Sequence, residues 1–105
     1  MIKVAICDDD NLFAHQLENI ILSTCDKESI MVDTEIYLSG FTLEKGILTG
    51  QKIDLIYLDI QMENGDGISA AKHIRKMDDN VIIIFVSSYD RYMMELFRLD
   101  VFAFI

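Results

Sequence analysis

Residues 3 to 11 read KVAICDDDN. The apolar run Val4 to Cys7 breaks off at three consecutive carboxylates, Asp8, Asp9 and Asp10. Uninterrupted apolar residues, without polar alternation, suit a strand buried on both faces, as in a parallel sheet covered by helices. The carboxylates are harder to explain. Two unit charges about 4 Å apart repel by roughly 4 kcal/mol at an effective dielectric of 20. Negative charge gathered at the end of a buried strand calls for something cationic beside it.

The same punctuation recurs further along. IDLIYLD, residues 53–59, is another apolar run closed by a carboxylate, and VIIIFVSS, residues 81–88, is the most buried-looking strand. IMVDTEIYLSG (30–40) and the final VFAFI (101–105) also have strand-like content. Helical patterns lie between them. From Asn11 to about Thr24 the apolar residues Phe13, Leu17, Ile20 and Ile21 fall at helical spacing, and FTLEKGILTG (41–50) reads as a short helix closed by Gly50. ISAAKHIRKM (68–77) puts Ile68, Ala71 and Ile74 on one face and Lys72, Arg75 and Lys76 away from it, and DRYMMELFRL (90–99) is a further helix. IQMENGDG (60–67) is a loop by its Asn, Asp and Gly content. Strand and helix thus alternate throughout, which predicts a doubly wound α/β domain with a parallel sheet.

In such sheets ligands bind beyond the carboxyl ends of the strands, at the point where the strand order reverses. Asp8 and Asp9 end the first strand, Asp59 the third and Ser87 the fourth. If the first and third strands are neighbours, these side chains share one pocket. Oxygen-rich sites with room for water suit Mg²⁺. Helix capping explains one of the three N-terminal aspartates, and Asp10 is assigned to it. It explains neither Asp59 nor Ser87. A carboxylate beside bound Mg²⁺ can attack a phosphoryl group and form an acyl phosphate, and Ser87 is placed to donate a hydrogen bond to the phosphoryl oxygens.

Composition narrows the class. The 105 residues are enough for one domain, 51% are apolar, and the net charge is −9. That acidity argues against nucleic-acid binding by this segment, which would need clustered Lys and Arg. No apolar run approaches the ~20 residues of a membrane helix, and the N-terminus lacks the basic flank of a signal peptide, so a cytoplasmic location is expected. Cys7 and Cys25 read as buried, reduced thiols, and His15 and His73 as solvated helix positions.

VAICDDD (4–10), YLDIQMENGDGI (57–68) and IIIFVSSYD (82–90) resemble, in order and spacing, the receiver domain of two-component response regulators. The segment VSSYDRYMMELFRLDVFAFI (86–105) is most similar to receivers that precede LytTR-type DNA-binding domains. The resemblance implies a flavodoxin-like five-stranded parallel sheet in the order 2-1-3-4-5. It implies that Asp59 is the phosphoacceptor, served by a histidine kinase. Asp9 would ligate Mg²⁺ directly, Asp8 mainly through water, and Gln61 through its backbone carbonyl. Ser87 and Phe104 match the switch residues, and Asp66-Gly67 matches the turn that closes the loop. A DNA-binding output domain is expected in the full-length protein, and the reading allows a homodimer.

Three positions depart from the family pattern. Glu63 stands where a Pro is usual, and Ser88 follows Ser87 where Ala is common. The sequence also ends at Ile105, before the family's Lys-Pro dipeptide and fifth helix, so the expectation is a domain cut short. Met93, Met94, Leu96 and Phe97 would then lie uncovered. Two other readings stand beside the main one. In a haloacid-dehalogenase-like phosphatase, Asp8 would be the nucleophile and Asp10 the acid/base. In a pseudo-receiver, the fold would serve only as an interaction module.

Overall fold

The computed structural model describes residues 1–62 and 67–86, together with the backbone of residues 103–104. The predicted helix over 90–99, Glu63, Asp66, Ser87, Ser88 and the side chain of Phe104 lie outside the described residues. So does the proposed apolar patch of Met93, Met94, Leu96 and Phe97.

Strand β1 spans Ile2–Cys7, helix α1 Asn11–Lys27, β2 Val32–Tyr37, α2 Gly40–Leu48, β3 Leu55–Asp59, α3 Gly67–Met77, β4 Ile82–Val86 and β5 Ala103–Phe104. The strands form one sheet in the order β2-β1-β3-β4-β5, and every pairing is parallel. This is the doubly wound, flavodoxin-like architecture expected from the sequence. Register brings Cys7 beside both Tyr37 and Leu58, and Asp59 beside Val86. The carboxyl ends of the central strands therefore lie side by side along one edge of the sheet.

Successive side chains on a strand point to opposite faces, so each apolar run serves two cores. Ala5 and Cys7 of β1 join Ile56 and Leu58 of β3 and Ile83 and Phe85 of β4 on the face covered by α2 and α3, which contribute Leu43, Ile68, Ala71 and Ile74. Val4 and Ile6 face the other way, with Leu55 and Tyr57, under Ala14, Leu17, Ile21 and Cys25 of α1. A run with no polar alternation is what two covered faces require.

Helix α1 departs from the sequence reading in its inward face. Ile20 is 63% exposed and Phe13 is half exposed, whereas Ala14 and Ile21 are buried. The inward stripe is Ala14, Leu17, Ile21 and Cys25, at the three- and four-residue steps of a helix. Ile20 lies about 100° around the axis from Ile21 and cannot share that stripe. The helix also runs on to Lys27, past Thr24. Asp10 caps its start, its side chain accepting from the Phe13 N–H at 3.2 Å, so the assignment of Asp10 to capping holds. Helix α2 is capped likewise by Ser39, and Gly50 follows it with φ of 100°, a conformation that favours glycine.

Cys7 is buried and Cys25 half-buried, and both are free thiols. His15 is exposed, with Nδ1 2.9 Å from the Asn11 carbonyl. His73 is a solvated position of α3, as expected. Its ring is largely solvated, but Nδ1 lies 2.6 Å from Glu44 Oε1, joining α3 to α2. Arg75, away from the apolar face of α3, donates through its guanidinium to the Val81 carbonyl. Among the described residues no helix is long and apolar enough to cross a membrane.

Candidate metal and phosphoryl site

Three carboxylates meet where the strands end. Asp8 leaves β1, Asp9 follows it, and Asp59 closes the adjacent strand β3; one oxygen of each lies within 4.8 Å of the others. Backbone contacts hold the members in place. The Asp8 N–H donates to the Tyr37 carbonyl at 3.0 Å, extending the β1–β2 ladder by one residue. The Asp8 carboxylate turns back to accept from the Asp10 N–H at 2.8 Å. Asp59 Oδ1 accepts from the Gln61 N–H at 3.3 Å.

The electrostatics follow from the crowding. Asp8 is the buried charged residue among those described. Burial pushes its carboxyl up, the Asp10 N–H pulls it back, and Asp9 and Asp10 push it further up. Asp59 is half-buried. Burial first and Asp8 second raise its carboxyl from 3.8 to about 6, against opposing hydrogen bonds from the Gln61 and Ile60 amides. The Cys7 thiol beneath the site goes up to about 12, through burial first and then the charges of Asp8, Asp59 and Asp9. It stays protonated at neutral pH and is no nucleophile.

The segment after Asp59 is pinned at two points. The Gly67 N–H donates to the Ile60 carbonyl at 2.7 Å, closing the loop onto β3. A Cβ on Gly67 would sit 2.0 Å from the Asp59 carbonyl oxygen, so only glycine allows this approach. Met62 is buried, and its thioether accepts from the Cys7 thiol at 3.7 Å. The sequence reading identified Gly67 but had no signal for the Cys7–Met62 contact.

The donor set is all oxygen and strongly anionic. A few hard carboxylate ligands, ranging from buried Asp8 to exposed Asp9, fit Mg²⁺ better than a thiolate- or imidazole-preferring metal. Asp8, Asp9 and Asp59 are the residues that would hold it. Gln61 lies beside them through its amide, and its carbonyl is the further ligand that the resemblance implies. Ser87 and the Phe104 side chain lie outside the described residues; the Phe104 backbone pairs with Phe85.

A doubly wound flavodoxin-like domain with a carboxylate cluster at its strand ends is the class that fold and site define. Within that class the chain belongs to the response regulator receiver domain family, which it matches over residues 4–105. It is a LytT/LytR-like receiver of a two-component system. It is 31% identical over 100 residues to the sensory transduction protein LytT of Bacillus subtilis, covering 95% of this chain and 39% of that protein. Sensory transduction protein LytR of Staphylococcus haemolyticus is 31% identical over 103 residues, covering 98% of this chain and 38% of that protein. The response regulatory domain of protein mrkE from Klebsiella pneumoniae has the same fold, with a TM-score of 0.82 at 26% identity over 99% of this chain and 81% of that one. The chain spans about two fifths of the length of these curated relatives.

Proposed function

We propose that Asp59 accepts a phosphoryl group from a histidine kinase, in a reaction that needs Mg²⁺, and that the resulting acyl phosphate switches an output domain elsewhere in the full-length protein. The supporting observation is the meeting of Asp8, Asp9 and Asp59, from the ends of two adjacent strands, within 4.8 Å. An Asp59 Oδ attacks phosphorus, the P–N bond of a phosphohistidine breaks, and the imidazole leaves with a proton. The raised basicity of Asp59 strengthens it as a nucleophile, while a value near 6 leaves it mostly ionised at neutral pH. When bound, Mg²⁺ neutralises charge on the transferring oxygens.

Asp9 binds the ion directly in this reading, Asp8 mainly through water and Gln61 through its carbonyl. Ser87 donates to the phosphoryl oxygens, and the Phe104 side chain moves with it. The output is a LytTR-type DNA-binding domain, the setting is the cytoplasm, and the reading allows a homodimer. The capping bond from the Phe13 amide to Asp10 occupies the residue a phosphatase would use as its acid/base, which favours the receiver reading.

The test is incubation of the full-length protein with acetyl phosphate and Mg²⁺, followed by intact-mass spectrometry. One phosphoryl adduct is expected, lost on chelation of Mg²⁺ and in Asp59→Asn. An unmodified protein leaves the pseudo-receiver reading; phosphoester turnover that survives Asp59→Asn favours the phosphatase.

A further inference from the structure

The segment between β3 and α3 carries two buried residues around an exposed one. Ile60 is fully buried, Gln61 is exposed, and Met62 is 8% exposed. Both neighbours of Gln61 are fixed from different directions. On the Ile60 side the carbonyl is held by the Gly67 N–H at the start of α3. On the Met62 side the anchor is Cys7, the last residue of β1, through a buried thiol-to-thioether contact at 3.7 Å. Both sulfurs belong to the core on the α2–α3 side, with Leu58 and Ile68.

Cys7 directly precedes Asp8 and Asp9, and Met62 directly follows Gln61. One side-chain contact therefore ties the strand end bearing two carboxylates to the segment bearing Asp59 and Gln61. A thioether is well suited to this, being long, unbranched and polarizable enough to reach a partner across an irregular gap.

We propose that Met62 is a positioning residue for the metal site: its contact with Cys7 sets the placement of the Asp59–Gln61 segment relative to Asp8 and Asp9, and so the affinity for Mg²⁺. The proposal rests on the Mg²⁺ reading above. It assigns Met62 no contact with the ion. It separates Met62 from residues of the same core on other elements, such as Ile74 of α3, whose loss would loosen packing without breaking this contact.

The experiment is calorimetric titration of Mg²⁺ alone into the full-length protein, well below its melting temperature. Met62→Ala and the milder Met62→Val are compared with Met62→Leu, Cys7→Ala and the double variant Cys7→Ala/Met62→Ala. Ile74→Val, in the same core cluster on α3, reports what loss of packing alone does. Met62→Ala and Met62→Val are expected to raise the Kd at least fivefold. Met62→Leu, which keeps the reach, and Ile74→Val should stay within about twofold of the parent. The double variant should be no weaker than Met62→Ala, because the two changes break one contact. Parental affinity in both Met62→Ala and Met62→Val would overturn the proposal, as would an equal loss in Ile74→Val. If the parent itself binds no Mg²⁺, the metal reading fails and this inference with it. A parent that binds beside indifferent Met62 variants sinks the inference alone.

Discussion

Replacing Asp59 by Asn removes one of three charges whose oxygens lie within 4.8 Å. Each carboxylate pair at that separation repels by about 3.5 kcal/mol at an effective dielectric of 20 and about 0.9 kcal/mol in bulk water. A carboxyl held at about 6 rather than 3.8 corresponds to about 3 kcal/mol, as a ceiling. Asp59 is only half-buried, and solvent screening roughly halves that figure, to about 1–2 kcal/mol. Asp59→Asn should therefore stabilise the protein in chelator at pH 7.5, raising its melting temperature by about 5–10 °C. The sign of the pH dependence is opposite to that of a salt-bridged carboxylate. Between about pH 4 and 6 the folded protein holds a proton on Asp59 that the unfolded chain has lost. Stability falls as pH rises through that window, and the full penalty is present above it. The advantage of the variant should accordingly shrink on acidification, to about a third of its full size by about pH 4.5, and vanish below the unfolded value of 3.8. Magnesium should have the reverse effect. At ten times its Kd it stabilises the parent by about 1.4 kcal/mol, and Asp59→Asn should lose most of that gain. Thermal or urea melts of both proteins, at the two pH values and with or without Mg²⁺, measure every term. Equal midpoints at pH 7.5 in chelator, or an advantage that persists unchanged to pH 4.5, would refute the repulsion on which the site's reading rests.

Gly67→Ala should destabilise by about 1–3 kcal/mol or more, because its Cβ would meet the Asp59 carbonyl at 2.0 Å; urea midpoints and Mg²⁺ titration should both worsen. Asp10→Ala should cost about 1 kcal/mol through loss of the α1 cap and leave Mg²⁺ affinity within about twofold, since the Asp10 bond to Asp8 comes from its backbone. A large drop in that affinity would assign Asp10 to the metal site. Glu44→Gln should lower stability by no more than about 1 kcal/mol, with the difference shrinking in high salt, as denaturant melts at two ionic strengths would report. A salt-independent loss would mean that the α2–α3 contact at 2.6 Å acts through packing rather than charge.

The sequence makes the sheet and its acidic edge legible for one reason: both follow from where apolar runs stop. Val4 to Cys7 and Leu55 to Leu58 are apolar at every position, which fits only strands covered on both sides. The aspartates that end them then fall on the same edge. The pattern is less informative on α1. Two adjacent isoleucines, Ile20 and Ile21, cannot both face inward, and only the small buried Ala14 reveals which does. Contacts between distant residues leave no local trace at all. Cys7 and Met62 are 55 positions apart, and Glu44 and His73 are 29 apart. Nothing in either neighbourhood announces the partner, because each pair depends on the tertiary arrangement rather than on periodicity or turn chemistry.

The approach of Gly67 to the Asp59 carbonyl has an evolutionary consequence. The end of β3 and the first residue of α3 touch at a distance set by backbone atoms, so the chain between them must leave and return to two fixed anchors. A side chain at Gly67 would force those anchors apart and displace Asp59. Variation among descendants of this sequence should therefore spare this glycine. Gly50, after α2, has open space around it, so only its backbone conformation, with φ of 100°, favours glycine there.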